Sequence, residues 1–278
     1  MAHLRELRRR IIVVVVIIAI GAVVAYEFYN PIIKFLEMPY CSVPSKYRQP
    51  GPRGECTLGY TGPADGFIAR LQISAMAGTV LTSPFWLYQI WAFVTPGLRR
   101  NERKYTIIFV ALATTLFLAG MALAYLILYP GLKVLIAQSG THTTAVLFIK
   151  PYLSFVTTLL LIFGAAFELP LLIVMLNVVG VVPYRWLRRW QRLAIFLIFV
   201  FAGVATPTAD PFTMCAMAVP MVLLFEGAVL FAYIHDKRKA AREAEVDAAG
   251  PPVADDVASA VNPLPERIAH DDSWTSLP

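Results

Sequence analysis

The chain has 278 residues, of which 58% are hydrophobic and only 15% charged, and its mean hydropathy is +0.64. That profile indicates a polytopic membrane protein and excludes an ordinary soluble domain. The net charge of +6 does not point to nucleic acid, because the cations sit in short clusters beside apolar runs. No nucleotide loop, metal-ligand cluster or Gly-rich phosphate cradle stands in the sequence, so no cofactor, metal or catalytic residue is expected.

In chain order, the stretches long enough to cover much or all of a ~30 Å hydrocarbon core are residues 11–26, 71–98, 105–132, 151–184, 193–209 and 211–234. The second carries Pro84 and Pro96. The fourth is interrupted only by Glu168 and the sixth only by Glu226. None alternates apolar and polar residues, which argues against barrel strands. The expectation is an all-α integral membrane protein with six transmembrane helices. The last two are short: their charge-free runs reach only ~22–26 Å. Such a pair thins the bilayer or draws its flanks inward; alternatively, Asp210 and Glu226 snorkel or are buried in the bundle.

Four groups of four cations lie on one side: Arg5, Arg8, Arg9 and Arg10; Arg99, Arg100, Arg103 and Lys104; Arg185, Arg188, Arg189 and Arg192; Lys237, Arg238, Lys239 and Arg242. The opposite loops hold seven cations spread over longer segments. The bias puts both termini in the cytoplasm, which an even number of spans permits. The first span resembles a signal peptide with a passable site at Val23-Val24-Ala25, but the reading favoured is an uncleaved anchor.

Residues 1–234 form the membrane domain. Its first outer loop, about 29–65, is rich in Pro and Gly and contains Cys41 and Cys56. These are candidates for a disulfide in an oxidising compartment, worth ~3 kcal/mol in the chain-entropy model, or else two unpaired thiols. Cys215 reads as small packing. The tail, 235–278, begins basic and helical and then becomes Ala/Pro/Asp-rich, as in disordered segments.

A few polar groups need an account. Glu168 lies deep in IFGAAFELPLLIV, where a lone carboxylate costs a few kcal/mol. It is protonated, paired, or turned to a wet cavity; Pro170 nearby can kink the helix. Glu102 sits among four cations in GLRRNERK, and Glu6 among arginines in HLRELRRR. Taken alone, each is a solvated acid worth under ~1 kcal/mol in an exposed pair. The aromatic segment SPFWLYQIWAFVTPGL directly precedes the first of these loops.

HLRELRRR at 3–10, SPFWLYQIWAFVTPGLRRNERK at 83–104, PYLSFVTTLLLIFGAAFELP at 151–170 and ATPTADPF…AVPMVLLFE at 205–226 resemble the TatC family. These are the multispanning receptors of the twin-arginine protein translocase. The similarity runs in order to about residue 235; the Cys-bearing first loop and the long tail depart from shorter relatives. The resemblance implies a curved, concave bundle and a receptor in the bacterial cytoplasmic (inner) membrane. It would bind signal peptides carrying paired arginines and help move folded proteins, driven by the proton-motive force and not by ATP hydrolysis. Implied partners are TatA- and TatB-like single-span proteins and further copies of the receptor itself.

By the same resemblance, Glu102 and Glu6 fall on the acidic positions that meet the arginine pair. Arg8, Phe93, Leu98 and Arg103 belong to the same recognition region. A carboxylate suits that task because it matches a planar guanidinium bidentately. Glu168 resembles the intramembrane glutamate of the family's fourth helix. Thr206, Thr208, Asp210 and Thr213, with Glu226, are candidate polar contacts for partner helices. Met214 stands where many relatives carry Gln. Two other classes compete: a proton-coupled solute transporter using Glu168, and a membrane assembly scaffold.

Overall fold

A computed structural model of the chain describes residues 2–43, 56, 58–94, 103–138, 148–205 and 211–248. Within these residues it forms eight helices: α1 (Ala2–Glu27), α2 (Tyr29–Cys41), α3 (Asp65–Leu81), α4 (Ser83–Val94), α5 (Arg103–Gln138), α6 (Ile149–Val178), α7 (Tyr184–Ala205) and α8 (Pro211–Ala248). Among the described residues the only extended pairing is one bridge between Gly59 and Phe148. Among the described residues, four stretches are long and apolar enough to cross a membrane: Arg5–Glu27, Ile107–Val134, Ile149–Val178 and Thr213–Glu245. The architecture is all-α and multi-span.

The expected second span, 71–98, divides into α3 and α4 at Thr82. Pro84 explains the break, since it lacks an N–H and its ring crowds the carbonyl four residues back. The chain repairs the ends locally. The Thr82 N–H and hydroxyl both donate to the Gly78 carbonyl, and the Trp86 indole N–H donates to the Thr79 carbonyl at 2.8 Å. Residues 95–98 lie outside the described residues.

Two further departures have physical causes. The Pro/Gly-rich loop expected on the outer side begins with a 13-residue helix, α2, because Ile32, Leu36 and Tyr40 recur at helical spacing on one face. Its Leu36 and Tyr40 are buried. Hydroxyls from two long helices hold it down: Tyr125 of α5 donates to the Phe35 carbonyl and Tyr152 of α6 to the Leu36 carbonyl, each at 2.7 Å. Second, α7 and α8 run 22 and 38 residues. The short charge-free runs therefore belong to longer helices, whose Arg-rich and Lys-rich turns stay helical because straight-chain cations are good helix formers.

The core is a continuous apolar cluster centred on Phe117, Leu153, Val156, Phe163 and Met175. A close backbone approach joins α1 to α3. A Cβ on Gly21 would meet Thr82 Cγ2 at 2.5 Å and the Gly78 carbonyl at 2.8 Å, and a Cβ on Gly78 would strike the Ala22 backbone. Small residues let these helices touch, as in other membrane bundles. The described residues up to 236 form one compact unit, and residues 237–248 belong to a second. Within the second, Lys239 and Glu243 pair one turn apart at 4.0 Å.

Candidate functional site

The N-terminal turn of α1 carries Glu6, Arg8 and Arg10. Helical register stacks Arg10 over Glu6. Its Nη2 and Nε donate to Glu6 Oε1 at 2.7 and 3.2 Å, while its Nη1 donates to the Gln89 carbonyl of α4 at 3.2 Å. Glu6 is 50% exposed and Arg10 25%. One guanidinium therefore ties the acid of α1 to the aromatic helix, one turn before half-buried Phe93. An open cleft of about 610 Å³ beside it is lined by Arg5, Glu6, Arg8, Arg9, Ile12 and Val13. Leu98 and Glu102 lie outside the described residues. Arg103 opens α5, and its side chain lies outside them as well.

The two intrahelical acids differ in their surroundings. Both carboxyl oxygens of Glu168 on α6 are buried, and neither makes a geometrically complete hydrogen bond, although the Phe117 backbone of α5 lies within electrostatic reach. Glu226 on α8 instead receives both its bonds from one amide: Gln191 Nε2 of α7 donates to Oε1 at 2.7 Å and to Oε2 at 2.8 Å. Thr206, Thr208 and Asp210 lie outside the described residues. Thr213 is buried near the start of α8, and Met214 lies against Gly203 of α7.

A clasp at the far end fixes the α6–α7–α8 geometry. Asp236 accepts from the Tyr184 N–H at 2.8 Å, capping α7, and from Asn177 Nδ2 at 3.0 Å; the same Asn177 nitrogen donates to the Val182 carbonyl at 2.9 Å. Gly180, with φ +85°, supplies the left-handed residue that turns the chain out of α6. At the end of α2, Cys41 and Cys56 are joined in a disulfide with their Cα atoms 5.6 Å apart. Beyond it, Asp65 accepts from the Thr61 hydroxyl, from the Thr61 N–H at 2.8 Å and from the Gly62 N–H at 2.9 Å. The Thr61 hydroxyl and these amides hold its carboxyl below the usual range, assisted by the Lys150 charge.

Sequence reasoning missed three of these residues. Arg10 was legible as an i, i+4 partner of Glu6, but its reach to α4 was not. Gln191 has no local signal tying it to a residue 35 positions away, and Asn177 looks like an ordinary helix-end polar residue.

An all-helical, multi-span chain with the Glu168 carboxyl buried in its bundle and an acid held among arginines near a helix end belongs to the class of polytopic membrane proteins. The family model described as Sec-independent protein translocase protein (TatC) matches residues 2–220. The Sec-independent protein translocase protein TatC of Frankia casuarinae is 46% identical over 244 residues, covering 86% of this chain and 67% of that protein. The TatC of Corynebacterium kroppenstedtii is 37% identical, covering 96% and 68%. A crystal structure of the twin-arginine translocase receptor TatC in DDM superposes with a TM-score of 0.69 at 30% identity, covering 83% of this chain and 99% of that one. The chain belongs to the TatC family of Sec-independent protein translocases. It is a multi-pass membrane protein and a component of that translocase.

Proposed function

We propose that this chain is the signal-peptide receptor of its translocase, with Glu6 and Glu102 as the carboxylates that take the paired arginines of an incoming signal. The observation that carries this reading is the Arg10–Glu6 contact at 2.7 Å, bridged to the Gln89 carbonyl. A guanidinium already bonds Glu6, through Oε1 alone, so the carboxylate accepts an arginine beside the helix that leads toward Glu102. Charge-assisted bonds of this kind are about twice as strong as neutral ones. A ligand arginine would take over the Glu6 bond, and Arg10 would keep its bond to α4. Arg8 and Arg103 frame the acids and repel cations not held by them. Phe93 and Leu98 meet the apolar residues that follow the arginine pair.

In this reading the chain has six spans, with both termini in the cytoplasm of a bacterial inner membrane. It works with TatA- and TatB-like single-span proteins and with further copies of itself, and moves folded cargo at the expense of the proton-motive force. Glu168, buried with both carboxyl oxygens short of a full hydrogen bond among the described residues, is the intramembrane group that receives a polar residue of a partner or cargo segment. Thr206, Asp210 and Thr213 mark the docking end of the last helix pair.

The test is Glu102→Ala. Export of a twin-arginine reporter should be lost while membrane insertion is retained. Normal export by that variant would remove Glu102 from the site.

A further inference from the structure

Three of the four cationic clusters carry their own acid: Glu6 in the first, Glu102 in the second, and Glu243 and Glu245 in the last. The third does not. No Asp or Glu occurs between Glu168 and Asp210, a stretch that includes Arg185, Arg188, Arg189 and Arg192. On α7 these four recur at i, i+3, i+4 and i+7, which makes one stripe along the helix. All four are exposed, and none forms an ion pair or hydrogen bond among the described residues.

Neighbouring residues give the stripe a direction. Trp186 and Trp190, 53% and 45% exposed, flank it with ring centroids 6.0 Å apart. Directly after Arg192 the same outward side turns apolar, and Leu193, Phe196, Leu197 and Val200 are all exposed. The inward side is already occupied: Leu187 is buried and Gln191 holds Glu226.

We propose that the outward face of α7 is a binding surface for an anionic glycerophospholipid. Phosphate oxygens lie over the arginine stripe, where planar guanidinium groups meet them bidentately. The Trp pair sits at the headgroup boundary, its usual depth. The acyl chains run along Phe196, Leu197 and Val200. An acidic protein segment would satisfy the cations, but it would not need an exposed apolar strip to begin one residue beyond the last of them. A lipid carries both parts on one molecule at that spacing. The surface is independent of the signal-peptide reading.

The test is the lipid held by the purified full-length protein, read by native mass spectrometry from micelles containing phosphatidylglycerol and phosphatidylcholine. Arg188→Gln with Arg189→Gln should lower the preference for phosphatidylglycerol roughly 30-fold, the effect of two cations at an anionic surface. Lys239→Gln with Arg242→Gln removes the same charge from the tail and should leave the preference unchanged. An equal loss in both pairs, or none in the α7 pair, overturns the proposal. So does an α7 variant that keeps its phosphatidylglycerol but loses a translocase partner that copurifies with the wild type; that result would assign the face to an acidic protein. If the Gln pair does not purify, quenching of the wild-type protein by brominated lipid decides. Brominated phosphatidylglycerol should quench more than brominated phosphatidylcholine, and Trp186→Phe with Trp190→Phe should remove the difference. Equal quenching by the two lipids overturns the proposal.

Discussion

The two arginine-rich helix ends differ in one respect that separates their chemistry. At the start of α1 an acid stands among the cations, and it is bound: Arg10 holds Glu6 and reaches across to α4. At the start of α7 the Asp236 carboxylate is taken up by the Tyr184 N–H and Asn177, and all four arginines are exposed without ion-pair or hydrogen-bond partners among the described residues. In the proposed reading the first end exchanges one guanidinium for another, and the second attracts an anion from elsewhere. The same net sign would then support two opposite recognition tasks, separated by whether a carboxylate stands within reach of the arginines.

Changes to the first end and to the helix α1 that carries it should have the larger effects. Beyond the loss of export expected for Glu102→Ala, Gly78→Val would force α1 away from α3, since even a methyl group at residue 78 strikes the Ala22 backbone. That should cost about 3 kcal/mol or more, the upper range for overpacking. The loss is read as a lower melting temperature in detergent, together with lost reporter export. Unchanged melting would mean that the α1–α3 approach is looser than described.

A smaller effect sharpens the second end. Gln191→Leu strips partly buried Glu226 of both its hydrogen bonds and should cost about 1 kcal/mol, since water can reach the freed carboxylate in part. Glu226→Gln, which can still accept one bond from Gln191, should cost less. Equal losses in a thermal melt would show that the pair contributes packing alone.

The smallest effect lies at neither end and serves as a reference. Asp65 has its carboxyl held below the ordinary carboxylate range by Thr61 and Gly62. Its contribution is therefore fully present above the ordinary aspartate range, and it is lost as pH falls through the lowered value. The wild type should lose melting temperature on acidification below about pH 4. Asp65→Asn should show a shallower acid dependence while its peptide binding at neutral pH is unchanged. An identical acid profile in the two proteins would remove Asp65 as the cause.

Much of the fold was legible because lipid imposes a simple code. Long apolar runs must be helices when every backbone group has to be satisfied within the segment, and the motifs at 3–10, 83–104, 151–170 and 205–226 led to the family that the comparisons then showed. What escaped was tertiary. The α2 helix was hidden because Pro31 and Pro39 dominate a short segment whose apolar spacing is clear only once Tyr125 and Tyr152 are seen to grip it. The break at Thr82 was half visible in Pro84, but the indole of Trp86 that repairs it was not. In the candidate site, Glu6 and Phe93 could be read as members of one surface, whereas the bridge between their helices depends on Arg10 finding a backbone carbonyl 79 residues away. Pairings over such distances leave no periodic trace.

The most direct measurement is the affinity of the full-length protein for a short signal peptide carrying either two arginines or two lysines, compared in the wild type and in Glu102→Ala. A wild-type preference for the arginine peptide that disappears in the variant is the predicted result. Equal binding of both peptides by the wild type, or an arginine preference that survives in Glu102→Ala, would contradict a receptor built on carboxylate–guanidinium exchange.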